Sequence, residues 1–266
     1  MTHRSLAQPT RRQCLLGAVA LAATAPGRAQ PMDLAEAINQ AGRQRMLSQR
    51  VAKAWLALAI QVLPERAQPV LAESVQRFEQ QLASLRAFGG GEAVQRSVAA
   101  LGEAWVDYRR LLDAVPSLAA APALLQADAR VLELAQRCTQ QLEGLSSVPT
   151  GRLINLAGRQ RMLSQRMAKY RLAAALPALA ADARLHITQA RGEFIAGLEA
   201  LERAPQATRA IQDELALARG QWVFFDLALG RAGQPGGRDA AELFITSEHL
   251  LQSMDRVTAL YARLGA

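Results

Sequence analysis

Arg45 and Arg161 stand at the same place in two near-identical stretches of this chain. Residues 38–53 read INQAGRQRMLSQRVAK and residues 154–169 read INLAGRQRMLSQRMAK, so fourteen of sixteen positions agree. A helix kept for its core alone needs apolar residues at period 3.6 and little else. The duplicated set goes further: Asn39 and Asn155, Gly42 and Gly158, Ser48 and Ser164, Gln49 and Gln165 recur together with the arginines. On a helix, at about 100° per residue, Leu34, Ile38, Ala41, Gly42, Ala52, Leu56 and Ala59 share one face, with Arg45 in its middle and Gln49 beside it. Ile154, Ala157, Gly158, Ala168, Leu172 and Ala175 surround Arg161 and Gln165 in the same way. Arg43 and Arg50 fall off this face, which predicts that they point to solvent.

An arginine set in an apolar stripe needs a partner, because an unpaired buried charge is very costly. No carboxylate shares the stripe. The partner is therefore an acid from another helix, with Glu79, Glu103 and Asp107 available, or an anion from solution. Arginine suits the second role: its planar fork matches an oxyanion and it keeps its charge. Gly42 and Gly158, one turn earlier, let a second helix or a ligand approach the backbone closely. Gly42, Arg45, Gly158 and Arg161 are thus the candidate ligand-binding residues. Asn39, Ser48, Gln49, Asn155, Ser164 and Gln165 are candidate supports.

The elements that position them follow from breakers and repeats. The duplication continues beyond the motif: Phe78, Leu82 and Leu85 match Phe194, Leu198 and Leu201, and Trp105-Val106-Asp107-Tyr108 matches Trp222-Val223-Phe224-Phe225. A last amphipathic stretch, residues 128–145, is echoed at 239–260. Pro64, the glycines at 89–91, Pro116 to Pro122 and Pro149 divide the first half into four helices. Pro177, Pro205 and the glycine-rich run 233–237 do the same in the second. Short joints between long helices mean antiparallel neighbours. Together with an Ala- and Leu-rich composition poor in β-branched runs, this predicts an all-α protein of two tandem up-down four-helix bundles related by internal duplication. The expected boundaries are 1–29 for an export signal, 30–148 for the first bundle and 149–266 for the second.

The amino terminus reads as a twin-arginine export signal: Arg11-Arg12, a short apolar run, then Gly27-Arg28-Ala29 as a cleavage site. The run is too short to span a membrane, and no later segment is long enough either, so the mature protein is expected in the periplasm without a membrane span. Four arginines and no acidic residue leave with the signal, which takes the formal charge from +8 to +4. So small a positive excess fits a small anion better than nucleic acid. Cys138 is then the one remaining cysteine, which excludes an internal disulfide and reads as a small buried hydrophobe. Only Lys53 and Lys169 are lysines, at equivalent places in the repeat. Trp55, Trp105 and Trp222 read as core anchors, and Tyr108, beside Arg109 and Arg110, as part of a solvated face.

The stretches AINQAGRQRMLSQR and LINLAGRQRMLSQR resemble the motif that opens the PilJ-type domain of type IV pili methyl-accepting chemotaxis transducers. They are also similar to the P-box of NarX-type nitrate/nitrite sensor kinases. The resemblance implies a periplasmic four-helix bundle. It also implies an anion site in which the arginine before the methionine binds nitrate, helped by the glycine three residues earlier. Carried over, these are Arg45 with Gly42 and Arg161 with Gly158. The sensors bind one anion between the first helices of two subunits. One chain here carries both helices, so Arg45 and Arg161 are expected to converge on a single shared anion, nitrate or nitrite favoured.

The function expected is a soluble periplasmic protein that binds or senses a small oxyanion. Lacking a kinase or methyl-accepting module, it would pass its state to a membrane sensor or transporter, as a monomer or a homodimer. The alternative is a scaffold linked to type IV pili or chemotaxis signalling, with the arginines in structural ion pairs. An enzyme is not expected. His186 and His249 lack a di-iron or haem spacing and no phosphate loop or nucleophile with a base is recognisable; neither metal nor cofactor is called for. Nucleic acid is disfavoured by the absence of a basic stripe interleaved with aromatics.

Overall fold

Proline and glycine set the ends of the helices, and the alternation of apolar and polar residues sets which side of each is buried. The computed structural model describes residues 32–147, 149–231 and 237–264. The export signal and most of the glycine-rich run lie outside the described residues. Every regular element among them is helical: α1 (Leu34–Ala59), α2 (Pro64–Phe88), α3 (Glu92–Asp113), α4 (Ala121–Gly144), α5 (Pro149–Ala173), α6 (Ala180–Glu202), α7 (Arg209–Gly230) and α8 (Arg238–Leu264). Asp33 caps α1, its Oδ1 accepting from the Glu36 amide at 2.7 Å, and Thr208 caps α7. Pro64 opens α2 at a position whose amide would have no helical partner. The α2–α3 turn runs through Gly89, Gly90 and Gly91, all at positive φ, a conformation that side chains other than glycine rarely adopt.

α1 packs on α2 and α4, and α3 on α4; α5 packs on α6 and α8, and α7 on α8. These are two four-helix rings, one from each half of the sequence. The broadest contact of all is between them, α1 on α5, so residues 32–264 form one compact unit. The two helices run parallel, since Gly42 lies opposite Gly158 and Lys169 reaches Gln49. The rings are filled in matching ways. Phe78 stacks on Trp105 with centroids 3.7 Å apart, and Phe194 on Trp222 at 4.5 Å. All three tryptophans and Cys138 are buried. No described helix is long and apolar enough to cross a membrane.

Candidate functional site

The α1–α5 seam is apolar at its amino-terminal end, where Ile38 and Ile154 are buried, and polar through its middle. The helices cross closely at the two glycines. A Cβ on Gly42 would lie 4.0 Å from the Gly158 Cα, and only 3.2 Å and 3.6 Å from the Nη2 atoms of Arg45 and Arg161. The same holds from Gly158, at 3.2 Å from Arg161 and 3.5 Å from Arg45. Both guanidinium groups therefore converge on one point of the seam, and both residues are fully buried.

Each arginine leans toward the amino terminus of its own helix, as helical side chains do, and so crosses to the opposite half. Arg45 Nη2 donates to the Asn155 carbonyl at 3.3 Å, and Arg161 Nη2 to the Asn39 carbonyl and Oδ1 at 3.2 and 3.0 Å. The outer nitrogens differ. Arg161 Nη1 donates to Asp255 Oδ1 on α8 at 2.6 Å, whereas Arg45 Nη1 donates to Gln136 Oε1 on α4 at 2.6 Å. Among the described residues Arg45 has no carboxylate within ion-pair distance, and Nε of both arginines lacks an acceptor. Burial pulls Arg45 down to about 9, with the neighbouring cations Arg159 and Arg161 adding to the effect and Glu143 opposing it. Burial, then Arg43, pulls Arg161 down to about 10 against the opposing charge of Asp255. Both remain cations at neutral pH.

The supporting residues build a second buried layer deeper along the seam. Ser48 and Ser164 donate to the carbonyls of Arg45 and Arg161 at 2.9 and 2.8 Å. Gln49 donates to Asp128 Oδ1 at 2.7 Å, and its Oε1 accepts from Lys169 Nζ at 2.7 Å; Gln165 donates to the Ser247 carbonyl. Lys169 also pairs with Asp128, and Lys53 with Glu248 at 2.6 Å. Burial lowers Lys53 to about 8 despite Glu248, and holds the Asp128 carboxyl above its usual value despite Lys169.

Several expectations are corrected. Arg43 and Arg50 do not point to solvent: Arg43 pairs with Asp255 at 2.9 Å and Arg50 with Glu248 at 2.6 Å, both mostly shielded. They turn sideways along the seam toward α8. Glu79, Glu103 and Asp107 hold neither buried arginine; Glu79 accepts from Trp105 and Asp107 pairs with Arg110. Tyr108 is fully buried and donates to the Ser48 carbonyl at 3.1 Å, because it sits one turn from Trp105 on the core side. His186 stacks on Tyr170 and meets Arg166, and His249 is exposed. The residues missed were Gln136, Asp255, Asp128 and Glu248. Asp128 carried a signal: it lies between Leu124 and Val131 on the buried face of α4.

The family model described as "Type IV pili methyl-accepting chemotaxis transducer N-term", PilJ, matches residues 29–131 and 145–230. The chain belongs to the PilJ family. Its two matched regions begin just before α1 and α5, so each PilJ region contributes one arginine to the seam. No curated protein and no solved structure matches the chain.

Proposed function

We propose that this PilJ protein is a non-catalytic periplasmic sensory domain that binds one small oxyanion between α1 and α5. Arg45 and Arg161 would hold the anion, at the point where Gly42 and Gly158 let the two helices cross. The observation that carries this reading is the full burial of Arg45 without a carboxylate partner among the described residues, beside a second arginine aimed at the same point. Arg45 and Arg161 face Asp255, which Arg43 shares, while Glu36 and Glu143 add negative charge nearby. A site so nearly balanced would take a monoanion such as nitrate or nitrite at less cost than the more highly charged sulfate or phosphate. The bound anion would take the two Nη2 donors that now reach backbone carbonyls, gaining charge-assisted hydrogen bonds. A surface cleft of about 210 Å³ includes Asn39 in its lining, the residue that accepts from Arg161. Because the arginines belong to opposite halves, the anion would draw the two rings together, and a membrane sensor or transporter would read that change.

The test is the melting temperature in sodium nitrate, nitrite, chlorate, sulfate, phosphate and chloride at constant ionic strength. A ligand bound only by the folded state stabilises it by about 2.7 kcal/mol at a hundredfold excess over Kd, which is several degrees for a domain of this size. A selective shift with nitrate or nitrite, lost in Arg45→Ala and in Arg161→Ala, is the expected result. The Asp255 ion pair favours a second reading, a docking scaffold with structural arginines; no anion-selective shift would decide for it.

A further inference from the structure

The duplication provides an internal comparison for the surface as well as the core. α3 and α7 are equivalent helices, each burying a tryptophan at the matched position. Their outer faces differ. On α7, Leu217, Val223, Phe224 and Leu227 are 55%, 53%, 59% and 57% exposed, with exposed Gly220 among them. These residues span about 120° on the side away from Trp222. The matched positions of α3 hold Ala100, Val106, Asp107 and Arg110, with Glu103 in place of Gly220, and Asp107 and Arg110 form a solvent-exposed ion pair. A helix with a second apolar stripe ordinarily buries that stripe too; α7, polar at Gln212, Arg219 and Asp226 between its two stripes, buries only the one that holds Trp222. Its open stripe is on the order of 400 Å², the size at which exposed apolar patches are commonly functional.

We infer that α7 is the interface of a homodimer, packed antiparallel on the partner's α7 about a two-fold axis level with residue 222. The sequence of the stripe is complementary to its own reverse. In that register Gly220 lies opposite the partner's Phe224 and Leu217 opposite the partner's Leu227, while Asp213 and the partner's Arg231, just past the end of α7, would exchange their own-chain partners Arg209 and Glu242 for each other. A ring meets a flat spot, leucine meets leucine, and acid meets base. Gly220 has no reason within its own chain, since a Cβ there would meet nothing within 4 Å and glycine inside a helix costs about 1 kcal/mol. Parallel packing would instead set Asp213 on Asp213 and Phe224 on Phe224. The charges around the stripe are paired within the chain, Asp213 with Arg209, Glu214 with Arg256 and Asp226 with Arg191, so the stripe carries no surplus of basic residues to attract an anionic lipid surface. The stripe is about 27 Å long. One helix pair of that length buries less than the 1,200–2,000 Å² typical of stable complexes, so the dimer is concentration-dependent.

The experiment is sedimentation or light scattering of the chain over a concentration series. The first variant is Phe224→Asp with Leu227→Arg, which gives α7 the residues that α3 carries at those positions. Wild type is expected to dimerise, and this variant to dissociate at least about tenfold more readily with unchanged helicity. Asp213→Arg alone should weaken the dimer, and Asp213→Arg with Arg231→Asp should restore it, which tests the antiparallel register even if the first variant misfolds. A wild type that stays monomeric throughout overturns the inference. So does a dimer indifferent to the double variant, or a charge swap without rescue.

Discussion

Arg45 and Arg161 hold equivalent positions under unequal conditions, and the difference is measurable one residue at a time. Arg161 is tied to Asp255, which burial alone would raise but which Arg161 and Arg43 hold at about 2. Arg161→Met is therefore expected to cost about 2 kcal/mol. That is less than the ~3–5 of a fully buried pair, because Asp255 is partly exposed and keeps Arg43. Arg45→Met removes a buried charge whose partners are amide oxygens, and should stay within about 1 kcal/mol of wild type. Urea unfolding without added oxyanion separates the two; equal losses would mean that the halves are electrostatically alike. Anion binding has its own pH limit. The protonated Arg45 holds the anion, so affinity should be flat through neutral pH and fall as pH rises past about 9. Glu248 governs the acid side. Burial would raise it, but Lys53 and Arg50 outweigh burial and bring it from 4.5 to about 2. A carboxylate with a lowered pKa adds stability above its unfolded value and loses it as pH falls toward the folded one, here between about 4.5 and about 2. Glu248→Gln should remove about 3 kcal/mol at neutral pH and flatten that acid limb, as read from melting temperature against pH.

At the scale of the helix, the glycine crossing sets how near α1 and α5 can come. Gly42→Val puts methyl groups into the 4.0 Å that separate its Cβ position from Gly158. Overpacking of this kind costs about 1–3 kcal/mol, several degrees of melting temperature, and the separated helices should no longer respond to anions. Retention of a full anion response by this variant would place the site elsewhere. The helices themselves were legible in the sequence, because proline, glycine runs and apolar period are local signals. So was the arginine in the apolar stripe, since one helix suffices to show it. Its company was not. Gln136 is 91 residues from Arg45 and Asp255 is 94 from Arg161, and no local rule joins them. Arg43 and Arg50 were misplaced for a related reason: a single-helix projection ranks them as outward, but α1 is wrapped by α2, α4, α5 and α8 and has almost no outward side.

At the scale of the whole molecule, the two rings depend on each other. Residues 32–147 alone would expose the α1 face, with Ile38, Arg45 and Gln49 in water. Such a half should either fail to fold or pair with its own copy through α1, as circular dichroism and light scattering would show; a stable monomeric half would sink the role given to the seam. The seam also has a consequence for inheritance. Two identical subunits meeting on a two-fold axis must make every change twice, so a carboxylate introduced beside one arginine appears beside both. Here the two faces are encoded separately. Asp255 sits beside Arg161 while Gln136 sits beside Arg45, and Lys169 has Asp128 while Lys53 has Glu248. Carrying both copies in one gene let one arginine acquire a permanent counter-ion while its twin stayed uncommitted, a division of labour closed to any pair of identical chains.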